Sequence, residues 1–537
     1  MKINKTPEAI WKEYQTGRQF NDKLELYDIV ETNQNFYNGK QWEGVNAPNI
    51  EKPIINIIKP SVNYYTSMLV SDDISVNCEL PEGMDKDVKD AMEYITTNEI
   101  EAVFERTKFR THTRAFMKDT ALNGDAYFHW WYNTEKDKGG KYIGAIDLEI
   151  IDSVNVMFGN PIEPVVENQP FILVVYKKLT EEVRDMVNDA DKSSIVPDDE
   201  YGSVYTDNNA SSNNQYTTLI IKLYKENDSV WFTKSTKNLI ITKPIDLEIA
   251  IYPISKMNWV DNKESYHGTS PITEVIQNQI MINKFFMMLN EFVKKMSFPK
   301  ILFDLTKLGA WSNKVEALGV NGNPNEVVAV SSPTASIDQQ IIQFIQYLIQ
   351  MTKETLGVYD GALGNIKPEN TSAIVAVQQL ASQPLELQRL AYYQVVEDSV
   401  RIIVELMRSF YGKREVPIKS TDEESSTMMF DYADVKFNDF GLNVEVGASS
   451  YWSEVTQIQT LDNMYRNGII PDAITYLEQL PAGVVKNRSE IIDAIRRIQD
   501  GMMEQQQAQQ GMTSQLSQPT NEMSGIPIRA TQGVENV

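Results

Sequence analysis

Between residues 270 and 412 the chain carries three long helical patterns separated by two non-helical inserts, and that order limits the folds open to it. The first pattern opens at Ser270-Pro271, a capping residue followed by a proline at the first helical position. Its apolar residues, Ile272, Ile276, Ile280, Phe285, Leu289, Phe292 and Met296, recur at helical spacing and stop before Pro299. About 25 residues at the α-helical rise span ~37 Å. The second pattern runs from about Ser336 to Leu356 through Ile337, Ile341, Phe344, Leu348 and Met351, and Gly357 closes it. The third begins near Thr371 and continues to about Tyr411 with Pro384 inside it. Such a proline removes one hydrogen bond and crowds the carbonyl four residues back, so a kink is expected.

Between the first two patterns, PKILFDL and NEVVAVSS read as strands joined by GVNGNPN. Helix, small β module and helix back again make a protruding hairpin of two antiparallel helices with a β tip. At its other end lies the polar loop GVYDGALGNIKPENTSA, residues 357–373, longer than the ~2–8 residues usual between helices.

Upstream, residues 8–40 show helical spacing, Pro60 suits the start of a helix, 82–109 reads as a charged amphipathic helix, and 112–124 as another ending at Gly124. The character then turns to strands: 126–131, 145–151, 171–176, 219–224, 229–233 and 247–252 are short β-branched or aromatic runs. Residues 188–215, rich in Asp, Asn and Ser, read as a surface excursion. Strand-like patterning returns over 416–446, a small helical segment cut at Pro471 and Pro481 follows, and the Gln- and Met-rich end is expected to be disordered.

At 537 residues, 42% of them hydrophobic, the chain can bury large cores and several domains are expected. Its formal charge of −24 argues against a protein that grips nucleic acid over its whole surface. The single cysteine, Cys78, excludes an intramolecular disulfide and fits a reducing compartment. The N-terminus, MKINKTPEAIWKEYQ, has no apolar stretch behind its lysines, so no targeting segment is expected. The most membrane-like run, 280–296, is interrupted by Lys284, Asn290, Glu291, Lys294 and Lys295, so a soluble protein with no membrane partner is expected.

Catalytic constellations are missing. His112, His129 and His267 stand at no metal-ligand spacing, one cysteine excludes a cysteine-based zinc site, and neither HExxH nor GxSxG occurs. GALGN in the long loop lacks the GK[ST] of a nucleotide-binding P-loop. In DADKSSIVPDDE, residues 189–200, Asp189, Asp191, Ser193 and Glu200 fall where a Ca²⁺ loop places ligands, but Ser194 occupies the required glycine position, so an acidic surface loop is the expectation. No metal, no cofactor and no enzymatic activity are expected. Trp130-Trp131, in a β region, are expected in the core.

FYNGKQW at 36–42, PIINIIKPSVNYYTSML at 53–69, ALNGDAYFHW at 121–130 and YHGTSPITEVIQNQIMIN at 266–283, in that order and followed by the helix–tip–helix–loop–kinked-helix series, resemble the portal proteins of tailed double-stranded DNA bacteriophages. The resemblance covers most of residues 11–500. It implies an α+β fold with a mixed α/β wing (1–270 and 413–450), two antiparallel stem helices (271–297 and 336–357) and a small β clip (298–335). It also implies a tunnel loop (358–372), a long kinked wing helix (373–412) and an α-helical crown (451–502), leaving 503–537 as a disordered tail.

Members of that family form a ring, typically of twelve copies, at one capsid vertex. Double-stranded DNA passes through its channel during packaging and ejection. The implied partners are the terminase large subunit, major capsid and scaffolding proteins and a head-tail adaptor; the implied location is the virion, with assembly in the host cytoplasm. On that resemblance Asn365, Lys367, Glu369 and Asn370 are candidates to approach phosphates from the tunnel loop, and Lys294 and Lys295 for a weak basic ring. The ordinary alternative for each lysine is a solvated or ion-paired side chain. Phe285, Leu289 and Phe344 are the expected stem-packing residues. The alternatives are another phage structural component, such as a capsid or tail protein, and an enzyme of the packaging machinery, which would need a Walker motif or a metal-binding carboxylate cluster.

Overall fold

The computed structural model describes residues 3–48, 50–70, 74–79, 98–136, 142–198, 215–297, 300–303, 328–331, 339–358, 383–418, 426–434, 441–446, 451–470 and 473–480, with a few isolated positions besides. The chain is α+β and divides into two compact units, 1–447 and 448–537.

The first unit opens with α1 (Pro7–Lys23), α2 (Leu26–Tyr37) and α3 (Ile58–Leu69). α3 starts two residues before Pro60, which is tolerated there because the first-turn N–H groups have no intrahelical acceptor. Of the helix expected over 82–109, residues 82–97 lie outside the described residues; α4 (Ile100–Arg106) forms its end, Lys108 takes φ 53°, and α5 (Phe109–Asn123) begins three residues before the second helix expected from 112. Gly124, at φ 98°, closes α5 in the left-handed conformation.

Strand β2 (Asp125–Asn133) follows at once. It pairs antiparallel with β3 (Ala145–Ile151) on one side and β9 (Ile254–Asn258) on the other. A second, five-stranded antiparallel sheet runs β4 (Val156–Phe158), β5 (Phe171–Leu179), β6 (Tyr216–Glu226), β7 (Ser229–Ser235) and β8 (Ile240–Asp246), with the short α6 (Thr180–Asp185) after β5. Asn227 and Asp228, both at positive φ, supply the tight turn between β6 and β7. Residues 247–252, expected as a strand, connect β8 to β9 instead. Glu248 sits at φ 54° and Pro253 follows, so the run cannot continue a ladder, although Ile249 and Tyr252 are buried. The strand is displaced to 240–246, at the sheet edge, where Pro244 costs no ladder bond with a further neighbour.

α7 (Pro271–Ser297), the strand pair β10 (Lys300–Phe303) and β11 (Val328–Ser331), and α8 (Gln339–Thr355) come next, then α9 (Glu386–Phe410). α9 buries Tyr392, Val395, Val396, Ser399, Val400, Ile403 and Met407, the face of a helix laid on a sheet; Ser399 Oγ lies 2.8 Å from Ser255 Oγ on β9. Phe109, Phe116, Phe128 and Trp130 stack beneath it, with Phe116 and Phe128 at 4.1 Å between centroids. Trp130 is fully buried, whereas Trp131 lies beside His129 and is partly exposed. Two further pairs complete the unit: β12 (Lys413–Ile418) with β13 (Ser426–Asp431), and β14 (Gly441–Val446) with the distant β1 (Ile74–Glu79).

In the second unit, α10 (Tyr451–Arg466) and α11 (Ala473–Gln479) meet through stacked Tyr465 and Tyr476, whose hydroxyl reaches Asp462.

Candidate assembly surface

The four segments that carry the resemblance meet at the root of α7. Ser270 accepts from the Ile272 N–H at 3.1 Å, which caps the helix, and donates to the Ala121 carbonyl at 2.6 Å. Gly124 and Gly268 lie backbone to backbone: a Cβ on Gly124 would stand 2.6 Å from the Gly268 oxygen. His267 bridges Asp125 at 2.8 Å and Asn21 at 3.1 Å, all three buried, and Tyr127 donates to the same Asp125 oxygen at 2.7 Å.

Two turns up the helix, Gln279 accepts from Ile57 N–H at 3.0 Å and donates to the Ile55 carbonyl at 2.7 Å. Asn283 accepts from Ile55 N–H at 3.1 Å and donates to Gln41 Oε1 at 2.6 Å. An amide side chain therefore takes the place of a neighbouring strand and satisfies backbone groups that burial would otherwise strand. Sequence reading passed over Gln279, Asn283 and Gln41. The available signal was a pair of amides, four residues apart, facing inward in an otherwise apolar helical stripe.

Beyond Asn283 no described side chain of α7 is buried. Phe285 meets Phe344 near the start of α8, rings 5.7 Å apart and at 79°, the edge-to-face geometry aromatic pairs prefer. β10 and β11 pair antiparallel between the far ends of α7 and α8, and Leu356, just past α8, accepts from Tyr65 on α3, so the two helices run in opposite directions. Packing on each other does not cover them. Met281, Met288 and Val293 on α7 and Ile341, Ile342, Phe344, Tyr347 and Met351 on α8 are all exposed; Met288 is 60% and Tyr347 58% exposed. On α8 only Ile345 and Thr352 are buried. Exposed apolar residues gathered on two paired helices make this a candidate interaction surface.

Of the expected residues, Phe285 and Phe344 are in contact, and Leu289 lies partly buried on the same helix half. Lys294 pairs with Glu51 at 2.8 Å and Glu291 at 3.6 Å, and Asn290 donates to Glu51, so this lysine ties the 45–55 segment to α7. Lys295 lies on α7, its side chain outside the described residues. Asn365, Lys367, Glu369 and Asn370 also lie outside them. Pro384 sits in the 3₁₀ turn Gln383–Leu385 that leads into α9; the residues before it, where the other limb of a kinked helix is expected, are outside the described residues. In the 189–200 segment Asp189 is engaged by Lys192 at 2.9 Å, and Glu200 is outside the described residues.

Among the described residues no cluster of His, Cys, Asp and Glu is arranged to hold a metal ion, and no helix is long and apolar enough to cross a membrane. No protein-family model matches the sequence, and no curated protein matches it.

Proposed function

We propose that this chain is the subunit of a phage-type portal, a ring at one capsid vertex through which double-stranded DNA is packaged and ejected. The observation that carries the reading is the exposed apolar stripe on the antiparallel pair α7 and α8, rooted in the body at one end and bearing a strand pair at the other. A helix pair with apolar residues on its outer faces needs a partner. In a closed ring each pair is flanked by two identical pairs, so every copy covers its neighbour's stripe without leaving a free end. Burying one large apolar side chain contributes ~1.5–3 kcal/mol.

On this reading α7 and α8 form the stem, 298–335 the clip and 358–372 the tunnel loop around a channel. The ring, of twelve copies as in the family, docks the terminase large subunit during packaging, contacts scaffolding and major capsid proteins during assembly, and then takes a head-tail adaptor in the virion. The subunit itself needs no catalytic centre, since the motor supplies the chemistry. The test is native mass spectrometry of the purified protein with negative-stain images of the same sample. A closed ring of about twelve subunits is expected; a stable dimer under every condition would overturn the reading.

A further inference from the structure

A cleft of about 550 Å³ opens between α3 and α5. Asn63, Thr66, Ser67 and Val70 line one wall, and Arg114 and Lys118, one helical turn apart, line the other. Acidic residues outnumber basic ones 74 to 50 in this chain, so a wall of this sign runs against the composition. At the Asn63 end, Lys118 Nζ stands 5.1 Å and Lys59 Nζ 5.7 Å from the centroid of the same ring, that of Tyr37. Among the described residues neither lysine forms a salt bridge, although the Asp119 carboxyl feels the Lys118 charge. The Tyr37 hydroxyl donates to Asn63 Oδ1 at 3.1 Å, which fixes that amide and leaves its N–H groups without an acceptor among the described residues. The Thr66 and Ser67 hydroxyls donate to carbonyls of their own helix, at 3.0 and 2.9 Å, so they supply no donor to the cleft.

The geometry points to a binding site for a phosphate group, free or esterified. Lys118 lines the cleft and Lys59 stands near the same ring at its Asn63 end, and ammonium groups set beside an aromatic ring rather than in a salt bridge keep their charge available. The donors stand on two helices and approach from different directions. A tetrahedral, doubly charged oxyanion brings more acceptor oxygens and more charge to share between the two walls than a carboxylate does. The volume lies within the ~300–1,000 Å³ of small-ligand sites and leaves room for the organic part of an ester. This assignment does not rest on the ring-forming reading.

Calorimetric titration of inorganic phosphate into the full-length protein, at fixed ionic strength, tests it. Saturable binding is expected, weakened about tenfold or more in Lys118→Gln and in Lys59→Gln, as loss of one charge-assisted hydrogen bond implies. Lys59 is exposed, so its variant keeps the test valid even where Lys118→Gln fails to fold. No phosphate binding by the wild type, or unchanged binding in a folded Lys59→Gln, overturns the proposal. A glutamate-rich peptide that binds through the same lysines while phosphate does not also overturns it, in favour of an acidic protein partner. A short blunt duplex added as competitor assigns the source: displacement of phosphate supports a nucleic-acid backbone, and phosphate retained in its presence supports a free phosphate compound.

Discussion

Asp119, partly buried, and His129, buried, have opposite consequences for stability. Burial, helped by the Asp152 carboxylate, pushes the Asp119 carboxyl up to about 7, while burial and then Lys234 push the His129 imidazole down to about 4. Folded Asp119 therefore holds a proton that the unfolded chain has released between roughly pH 4 and 7, and its contribution to stability falls as pH rises through that window. His129 runs the other way: below its ordinary value the unfolded chain binds the proton that the folded chain refuses, so stability is lost as pH falls from about 6.5 toward 4. The two slopes oppose each other, and only a single-site variant separates them. Asp119→Asn is expected to melt several degrees above the wild type at pH 8, with the gap closing toward pH 4. Equal melting temperatures at pH 8 would show that Asp119 carries no penalty. Gly124 is a second case. Its φ of 98° and the Gly268 oxygen beside it leave no place for a side chain, so Gly124→Ala should cost about 1–3 kcal/mol, read from urea midpoints. That a glycine closes α5 was legible in the sequence; its contact with Gly268 was not, because nothing local encodes a backbone approach across more than a hundred residues.

At the scale of elements, the helices with long apolar repeats could be read because period and caps agree. α7 opens where Ser270-Pro271 places it and ends at Ser297, before Pro299. Elements decided by one residue's backbone could not. Glu248 at φ 54° moves a strand from 247–252 to 240–246, and Lys108 at φ 53° sets the break between α4 and α5 a few residues earlier than expected, and neither residue type announces a left-handed conformation. The stripe on α7 and α8 was legible as apolar, but only the structure separates its two halves. Up to Asn283 the inward residues are buried in the chain's own body, and beyond it Phe285, Leu289 and Phe292 are only half-buried while Met288 and Val293 beside them are exposed. Each half yields a different test. Gln279→Ala strands the Ile55 carbonyl and the Ile57 N–H, so the fold should lose about 2–4 kcal/mol, measured by chemical denaturation. Leu289→Asp and Phe344→Asp act on the outer half. They should leave the circular-dichroism spectrum nearly unchanged and lower the melting of the isolated chain only modestly, since each is partly covered within it, while abolishing higher assembly in native mass spectra. If either variant still assembles, those residues do not pack between subunits.

For the whole molecule, charge and apolar surface pull against each other. The chain carries a formal charge of −24, and a ring multiplies it by the number of copies, so assembly brings strongly like-charged bodies together. In the proposed ring the stripe on α7 and α8 would have to outweigh that repulsion. Added salt shortens the Debye length from ~8 Å at 0.15 M to ~3 Å at 1 M, which removes most of the repulsion between exposed charges. Salting-out anions such as sulfate also strengthen apolar burial. Both effects have the same sign, so the assembled fraction should rise as ionic strength goes from about 0.05 to 1 M, in sulfate more than in chloride. Mass photometry at fixed protein concentration would read this directly. An assembly held by surface ion pairs would dissolve over the same range, since screened pairs contribute little. That outcome would transfer the interface from the stem stripe to charged surfaces elsewhere on the subunit. Phosphate held by the α3–α5 cleft should respond in the opposite direction, weakening as salt competes for Lys59 and Lys118. One salt series therefore tells an apolar contact between copies from a charged contact with a ligand.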